Sequence, residues 1–249
     1  ERTFDYVLRE MRDPNGGFYS AQDADSLDAS GALEEGVFYA WSPAQVRMVL
    51  EGDADFVIEL FNITEDGNFE GSNSIHMTDT PDDAIYTRLD PLLDRMRAAR
   101  LQRAQPRTDR KVVVSWNAMM IETLAEAAYV FDRPDYYDAA AQAASFILTD
   151  MTSGDDLLRV SFEGNASIDG QLADYAGMGL ALLALHDYSP EGSAWLDSAD
   201  RMAAQISRLF VEGDGPYRMT ASVEGLGAFY PIDDSEIPAG NALALKLLV

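Results

Sequence analysis

The chain contains no cysteine. Disulfides, thiolate metal sites and a redox dithiol are therefore excluded within these residues. Histidine is almost as scarce. His76 and His186 stand far apart and form no ligand pair, so no metal centre and no resident cofactor is expected. Lysine occurs only at positions 111 and 246, and every other basic residue is arginine. Positive charge as a whole is in short supply, with 18 basic against 43 acidic residues and a net charge of −25. A chain this acidic, whose one basic cluster is the arginine-rich run 95–110, is a poor ligand for nucleic acid or an anionic membrane. Long apolar runs are missing as well. The longest strictly apolar stretch is Ala176–Leu185, short of the roughly 18 residues that span a bilayer. Nor does the start carry the pattern of a secretory leader, and a cytoplasmic location is expected.

What remains is apolar enough to fold, at 47% hydrophobic and 10% aromatic. Phe4, Val7, Leu8 and Met11 share one helical face, and Asp13-Pro14-Asn15-Gly16-Gly17 stops that helix. Phe18–Ser20 and Val37–Trp41 read as short strands around a polar segment, Asp23 to Glu35. Ser42-Pro43 pairs an N-cap with proline at the first helical position and starts a helix to about Leu50. A short helix over 53–61, a loop over Thr64–Met77 and a charged helix from Thr80-Pro81-Asp82-Asp83 to about Arg103 follow.

Beyond residue 111 the pattern becomes periodic. Trp116–Phe131 and Leu172–Leu185 are apolar nearly all round and predict helices buried on most faces. Asp135–Met151 and Pro190–Val211 are amphipathic, Leu157–Phe162 is a β-like return, and Pro216–Thr220 and Ala228–Tyr230 are strand-like. Pro238-Ala239-Gly240-Asn241 opens another apolar helix. Equivalent helix starts fall near Trp116, Asp174 and Asn241, spaced by 58 and 67 residues. That repeat is a helical-hairpin array. Alternation of fully and half-apolar helices favours a closed α/α toroid, an inner ring wrapped by an outer one. The fold class read here is all-α, with short β hairpins in the loops.

Several loops then fit a known pattern. Gly16-Gly17-Phe18-Tyr19-Ser20-Ala21-Gln22-Asp23-Ala24-Asp25-Ser26 followed by Glu35-Gly36-Val37-Phe38-Tyr39-Ala40-Trp41 resembles the YyaL family, thioredoxin-domain proteins related to the spermatogenesis-associated group. Gly67-Asn68-Phe69-Glu70-Gly71, Asp109-Arg110-Lys111 with Ser115-Trp116-Asn117, Asp174-Tyr175-Ala176, and Pro238-Ala239-Gly240-Asn241 continue the match in order along the chain. The resemblance implies an α/α toroid like those of six-hairpin glycosidases and sugar epimerases. It also implies an upstream thioredoxin-like domain as partner and earlier hairpins. Residues 1–249 are then expected to be one toroid domain fragment, an incomplete ring. One motif departs from the family: Ile237 precedes Pro238 where an acid is usual, and Ala239 follows where a serine is usual.

The loops before the inner helices are expected to crowd one mouth. Asp23 and Asp25, two residues apart in an extended segment, point to one side and, with Asp174, are the candidate catalytic acids. Glu35, Trp41, Glu70, Lys111, Trp116, Asn117, Tyr175 and Asn241 are the candidate substrate contacts. Carboxylates bind sugar hydroxyls and move protons when desolvated, and aromatic faces stack on sugar rings. Hydrolysis and epimerisation both remain open, although epimerases use a histidine pair that is not here. The competing reading is architectural. Asp is common in turns because it holds nearby N–H groups, Asn117, Asp174 and Asn241 suit helix caps, and Lys111 beside Asp109 suits an ion pair. An Asp-x-Asp calcium site lacks the spacing of an EF-hand loop.

Overall fold

The computed structural model describes residues 1–188, 193–211, 213–222 and 227–249. It divides into two compact units. Unit 1 is Glu1–Ala21 with Asp109–Val249, and unit 2 is the inserted segment Gln22–Thr108. In chain order the helices are α1 (Arg2–Glu10), α2 (Pro43–Leu50), α3 (Ala54–Leu60), α4 (Asp83–Arg100), α5 (Val114–Phe131), α6 (Pro134–Asp150), α7 (Leu172–Asp187), α8 (Ser193–Leu209) and α9 (Gly240–Leu248). The fold is all-α with short strand pairs in its loops, as read from the sequence. The expected start of α8 at Pro190 lies outside the described residues.

Unit 1 is built around α7. Its small residues let other helices come close: Gly177 faces the Ala118 methyl on α5, and a Cβ at Gly179 would overlap Leu247 on α9. Helices α5 and α9 therefore flank α7, while α6 packs on α5 and α8 packs on α7. This is the inner-and-outer layering expected of helical hairpins wound as an α/α toroid. The wall between α5 and α6 is lined by Ala139, Ala140, Ala143 and Ala144, all buried. Helix α7 is buried on nearly every face, as its composition requires. Helix α5 is not. Trp116, Tyr129 and Val130 stand exposed on it, because α6 and α7 cover only part of its circumference.

Strand Asp156–Phe162 lies at the head of these helices. It pairs with Val112–Val113, Thr152–Ser153 and Asn165–Asp169. The last partner, Asn165–Asp169, alternates polar and apolar residues but is too short and polar to stand out as a strand in the sequence. The hairpin closes through Glu163 and Gly164, both at positive φ, which matches the right-handed twist of the flanking strands. Ile168 has φ 64° and is 61% exposed. A β-branched side chain is strained in that left-handed region. Ile168→Asn is expected to stabilise the protein by about 1 kcal/mol, read as a higher urea midpoint with unchanged slope.

Unit 2 has its own core of Trp41, Val46, Leu50, Val57, Leu89, Leu92 and Met96. The Ser42–Pro43 signal is realised as a capping box: Ser42 Oγ accepts the Gln45 N–H and Gln45 Oε1 accepts the Ser42 N–H. Asp82 caps α4 through the Ile85 N–H.

Four strand readings need correction. Val37–Ala40 is a tight turn, because three of its carbonyls converge on the Arg103 guanidinium instead of a neighbouring strand. Phe18–Ser20 makes only a single bridge, Phe18 to Arg12. Pro216–Thr220, which bends at Met219 and Thr220, and Ala228–Tyr230 are joined by the Met219 N–H to Phe229 O bond but form no ladder among the described residues. The strands of the acidic loop lie inside it instead, as the hairpin Asp25–Leu27 with Leu33–Glu35.

Candidate functional site

The hairpin in unit 2 brings separated acids together. Its register sets Asp25 opposite Glu35, Ser26 opposite Glu34 and Leu27 opposite Leu33. Directly opposed residues place their Cβ atoms about 5 Å apart on one face, so Asp25 faces Glu35. The i, i+2 spacing predicts Asp23 as its neighbour on that face instead. Asp23 is exposed, and its Oδ1 accepts the Asp25 N–H at 3.2 Å, the turn-holding role open to any aspartate.

Beside this hairpin is a small cavity of about 150 Å³, lined by Glu34, Glu35, Gln45, Phe69, Glu70 and Ser72 among others. Two of the residues singled out in the sequence, Glu35 and Glu70, thus meet although they lie 35 positions apart. Local geometry forces this approach. Gly67 is at φ 70°, and a Cβ there would collide with the Ser72 backbone, so the 67–72 loop folds tightly on itself. Gly36 is at φ 75°, and a Cβ there would strike the Phe69 ring. Glycine at both places lets Phe69 lie against the hairpin. The wall offers carboxylates and an aromatic ring, and the Gln45 amide oxygen is already engaged in the cap.

Trp41 does not line an open surface. It is 3% exposed, bridges to Asn73, and lies under the Arg103 guanidinium at 4.2 Å. Burial, with Arg100 close by, lowers the pKa of Arg103. Its Nη1 donates to the carbonyls of Val37, Phe38 and Ala40 at 3.0, 3.0 and 2.6 Å. Trp41 and Arg103 therefore support the turn that forms part of the cavity wall. They offer no contact to a ligand.

In unit 1 the expected polar ring resolves into clamps. Asn117 is buried. Its Oδ1 accepts the Phe18 N–H at 2.7 Å, and its Nδ2 donates to Phe18 O and Val113 O. Asn241 makes the matching pair, from Tyr217 N–H and to Tyr217 O, with a further bond to Pro231 O. Tyr175 fills the equivalent place on α7, its hydroxyl accepting the Leu157 N–H at 2.8 Å. Each of the three precedes an alanine, and each fastens one residue of the loop segment arriving at its helix. Desolvation, aided by the negative charge of Asp156, pushes the Tyr175 hydroxyl up to about 12, so it is neutral near pH 7.

Asp174 is 0% exposed and fully engaged. Oδ1 accepts the Ser115 N–H, and Oδ2 accepts the Gln171 N–H and the Arg159 guanidinium, all within 2.7–2.9 Å. It ties the starts of α5 and α7 to the central strand, and no free face is left for proton transfer to a ligand. Lys111 pairs with Asp109 at 2.9 Å, and its hydrogen bond holds that carboxyl below its ordinary range. Trp116 alone among the unit 1 candidates presents a free side chain, 44% exposed at the start of α5.

Sequence reasoning passed over Arg103, Arg159, Glu34, Gln45 and Ser72. A signal existed for Arg159. Leu157, Arg159 and Ser161 share one strand face, and a cation on a face otherwise inward implies a buried anion. Arg103 gave no such signal inside an arginine-rich run. Among the described residues no group of three or more His, Asp or Glu is placed to hold a metal ion, and no helix is long and apolar enough to cross a membrane.

No family model matches the chain. It is similar to spermatogenesis-associated protein 20, at 28% identity to the human protein and 27% to that of Rattus norvegicus, in each case over 98% of this chain. This is the group that the loop motifs resemble. The chain spans 37% of the human relative's length and 36% of the rat relative's. Two solved structures show weak likeness. One is an α-amylase from Clostridium perfringens, at 12% identity, TM-score 0.38, and 87% of this chain against 56% of that one. The other is UGL with dGlcA-Glc-Rha-Glc, at 14% identity, TM-score 0.44, and 98% against 65%.

Proposed function

We propose that this chain is a carbohydrate-binding or carbohydrate-active part of an α/α toroid, and that the unit 2 cavity takes a sugar residue. The observation that carries this reading is the convergence of Glu35 and Glu70 on one small cavity against the Phe69 ring. Ionised carboxylates accept hydrogen bonds from neighbouring sugar hydroxyls, and an aromatic face packs on the ring's C–H surface. A cavity of about 150 Å³ is smaller than drug-sized pockets of roughly 300–1,000 Å³, which suits one ring and not an oligosaccharide. Should the bound sugar be turned over, Glu35 and Glu70, which both line the cavity, are the acids placed for acid and base roles. The chemistry would be glycosidase-like hydrolysis or epimerase-like proton exchange. Asp174, Asn117, Tyr175 and Asn241 have an architectural role in this reading.

The alternative is a non-catalytic interaction module working beside a thioredoxin-like domain elsewhere in the protein, in redox or protein-quality functions. Tyr129, Val130 and Phe131, exposed together at the C-terminal end of α5, favour it, because grouped exposed apolar side chains mark contact surfaces. A cytoplasmic location is part of either proposal.

Calorimetric titration with mono- and disaccharides separates the two. Glu35→Gln and Glu70→Gln are each expected to weaken sugar binding at least tenfold, about 1.4 kcal/mol. Glu35→Gln should at the same time raise thermal stability slightly, by about 0.2–1 kcal/mol, because it removes a like charge opposite Asp25. Absence of binding by any sugar, or binding indifferent to both changes, sinks the carbohydrate reading.

A further inference from the structure

A groove of about 670 Å³ lies between Leu148 on outer helix α6, the 152–155 turn and outer helix α8, with Leu148 and Met202 in its apolar lining and exposed Ala204 on its rim. It is separate from the unit 2 cavity and lies wholly within unit 1. Arg201, Gln205 and Arg208 follow one another at i, i+4 and i+7 and form one stripe of α8 along the groove. At a rise of 1.5 Å per residue the two guanidinium groups are rooted about 10 Å apart.

The two arginines are differently engaged. Arg208 is committed, its Nε to Gln205 Oε1 at 2.6 Å and its Nη2 to Asp156 Oδ1. Gln205 in turn donates to Asp155 O, closing that end of the groove. Arg201 has no carboxylate partner among the described residues. Among the described residues its hydrogen bond runs from Nη2 to Ser198 Oγ at 2.8 Å. Ser198 is 5% exposed, and its hydroxyl donates to Ala194 O, so it holds the guanidinium in a set orientation. In a chain with 43 acidic and 18 basic residues, a positioned arginine left without an acid at the rim of an apolar groove stands out.

We propose that this groove binds a small amphipathic carboxylate, its aliphatic body on Leu148 and Met202 and its carboxylate paired with Arg201. The charge pattern selects this class. At one end Arg208 is neutralised by Asp156 and exposed Asp155 adds a negative charge, so the groove's positive charge is concentrated at Arg201, where it suits a carboxylate fork. Burial of a short alkyl chain supplies most of the affinity at about 25 cal/mol per Å², and the exposed ion pair supplies the orientation.

The test is calorimetric titration of the intact protein with octanoate, with octanol as the neutral isostere. Octanoate is expected to bind with a dissociation constant of roughly 0.1–1 mM, and octanol at least fivefold more weakly. Arg201→Gln should remove the preference for octanoate with the melting temperature unchanged. Met202→Ala is partly structural, so a second groove variant is needed. Ala204→Glu, on the rim, should block octanoate by bulk and charge. Equal binding of octanol and octanoate, no binding of octanoate, or octanoate binding unmoved by Arg201→Gln and by Ala204→Glu would each overturn the assignment.

Discussion

Asp174→Ala is expected to destabilise the protein by about 3–5 kcal/mol. The carboxylate sits at 0% exposure and satisfies three donors from three places in the chain. Removing it strands the Ser115 and Gln171 N–H groups, each costing about 1–3 kcal/mol when buried and unpaired. It also leaves Arg159, only 22% exposed, without its counter-charge. Asp174→Asn should rescue little. An amide can accept the Ser115 N–H with its oxygen, but its NH₂ then faces the Gln171 and Arg159 donors. Urea unfolding measures both variants. An acid whose role was catalytic would behave in the opposite way, since removing a charge from an active site usually leaves stability intact or improves it. An Asp174→Ala protein as stable as its parent, yet unable to process a sugar, would overturn the architectural account.

Arg103→Ala is expected to cost about 3 kcal/mol, within the range for several bonds to a charged donor, and to abolish the unit 2 cavity. One guanidinium nitrogen gathers the carbonyls of Val37, Phe38 and Ala40, and the planar group covers Trp41. Without it three carbonyls lose their common donor and the turn opens. Val37 and Ala40 belong to the cavity wall, so sugar binding should fall with stability. Arg103→Lys keeps a cation able to meet several carbonyls but loses the flat face over Trp41, and should recover roughly half the loss. Near-ultraviolet circular dichroism follows the environment of buried Trp41. Full sugar binding by a destabilised Arg103→Ala protein would show that the turn does not build the site.

These expectations mark how far the residues could be read in advance. The helices were legible because their signals are local. Ser42-Pro43 with Gln45 carries its own cap, Asp82 carries another, and the apolar composition of α7 follows from being enclosed. The hairpin repeat was legible too, though its fastening residue on α7 is Tyr175 and not the neighbouring Asp174. The sequence marks Glu35 and Glu70 as acids of separate segments, but their meeting depends on Gly36 and Gly67, whose backbone freedom admits Phe69 and Ser72. Val37–Trp41 was misread, because alternating apolar and aromatic residues suit a strand and a carbonyl-gathering turn equally well. The deciding partner, Arg103, lies more than sixty residues further on.

By itself, then, the amino-acid sequence determined that these residues carry no thiol, the all-α hairpin character and the positions where helices begin, since each depends on composition or on neighbours within one helical turn. It also marked Asn117, Asp174 and Asn241 as polar residues at the heads of apolar helices. Only the tertiary structure decided what those residues do. A buried asparagine or aspartate must satisfy its hydrogen bonds, and the groups that satisfy Asn117 and Asp174 come from Phe18 and Ser115, 99 and 59 residues away. Partners so distant are brought within 3 Å only by folding, and that is why chemistry and architecture look alike in the loops until the chain is packed.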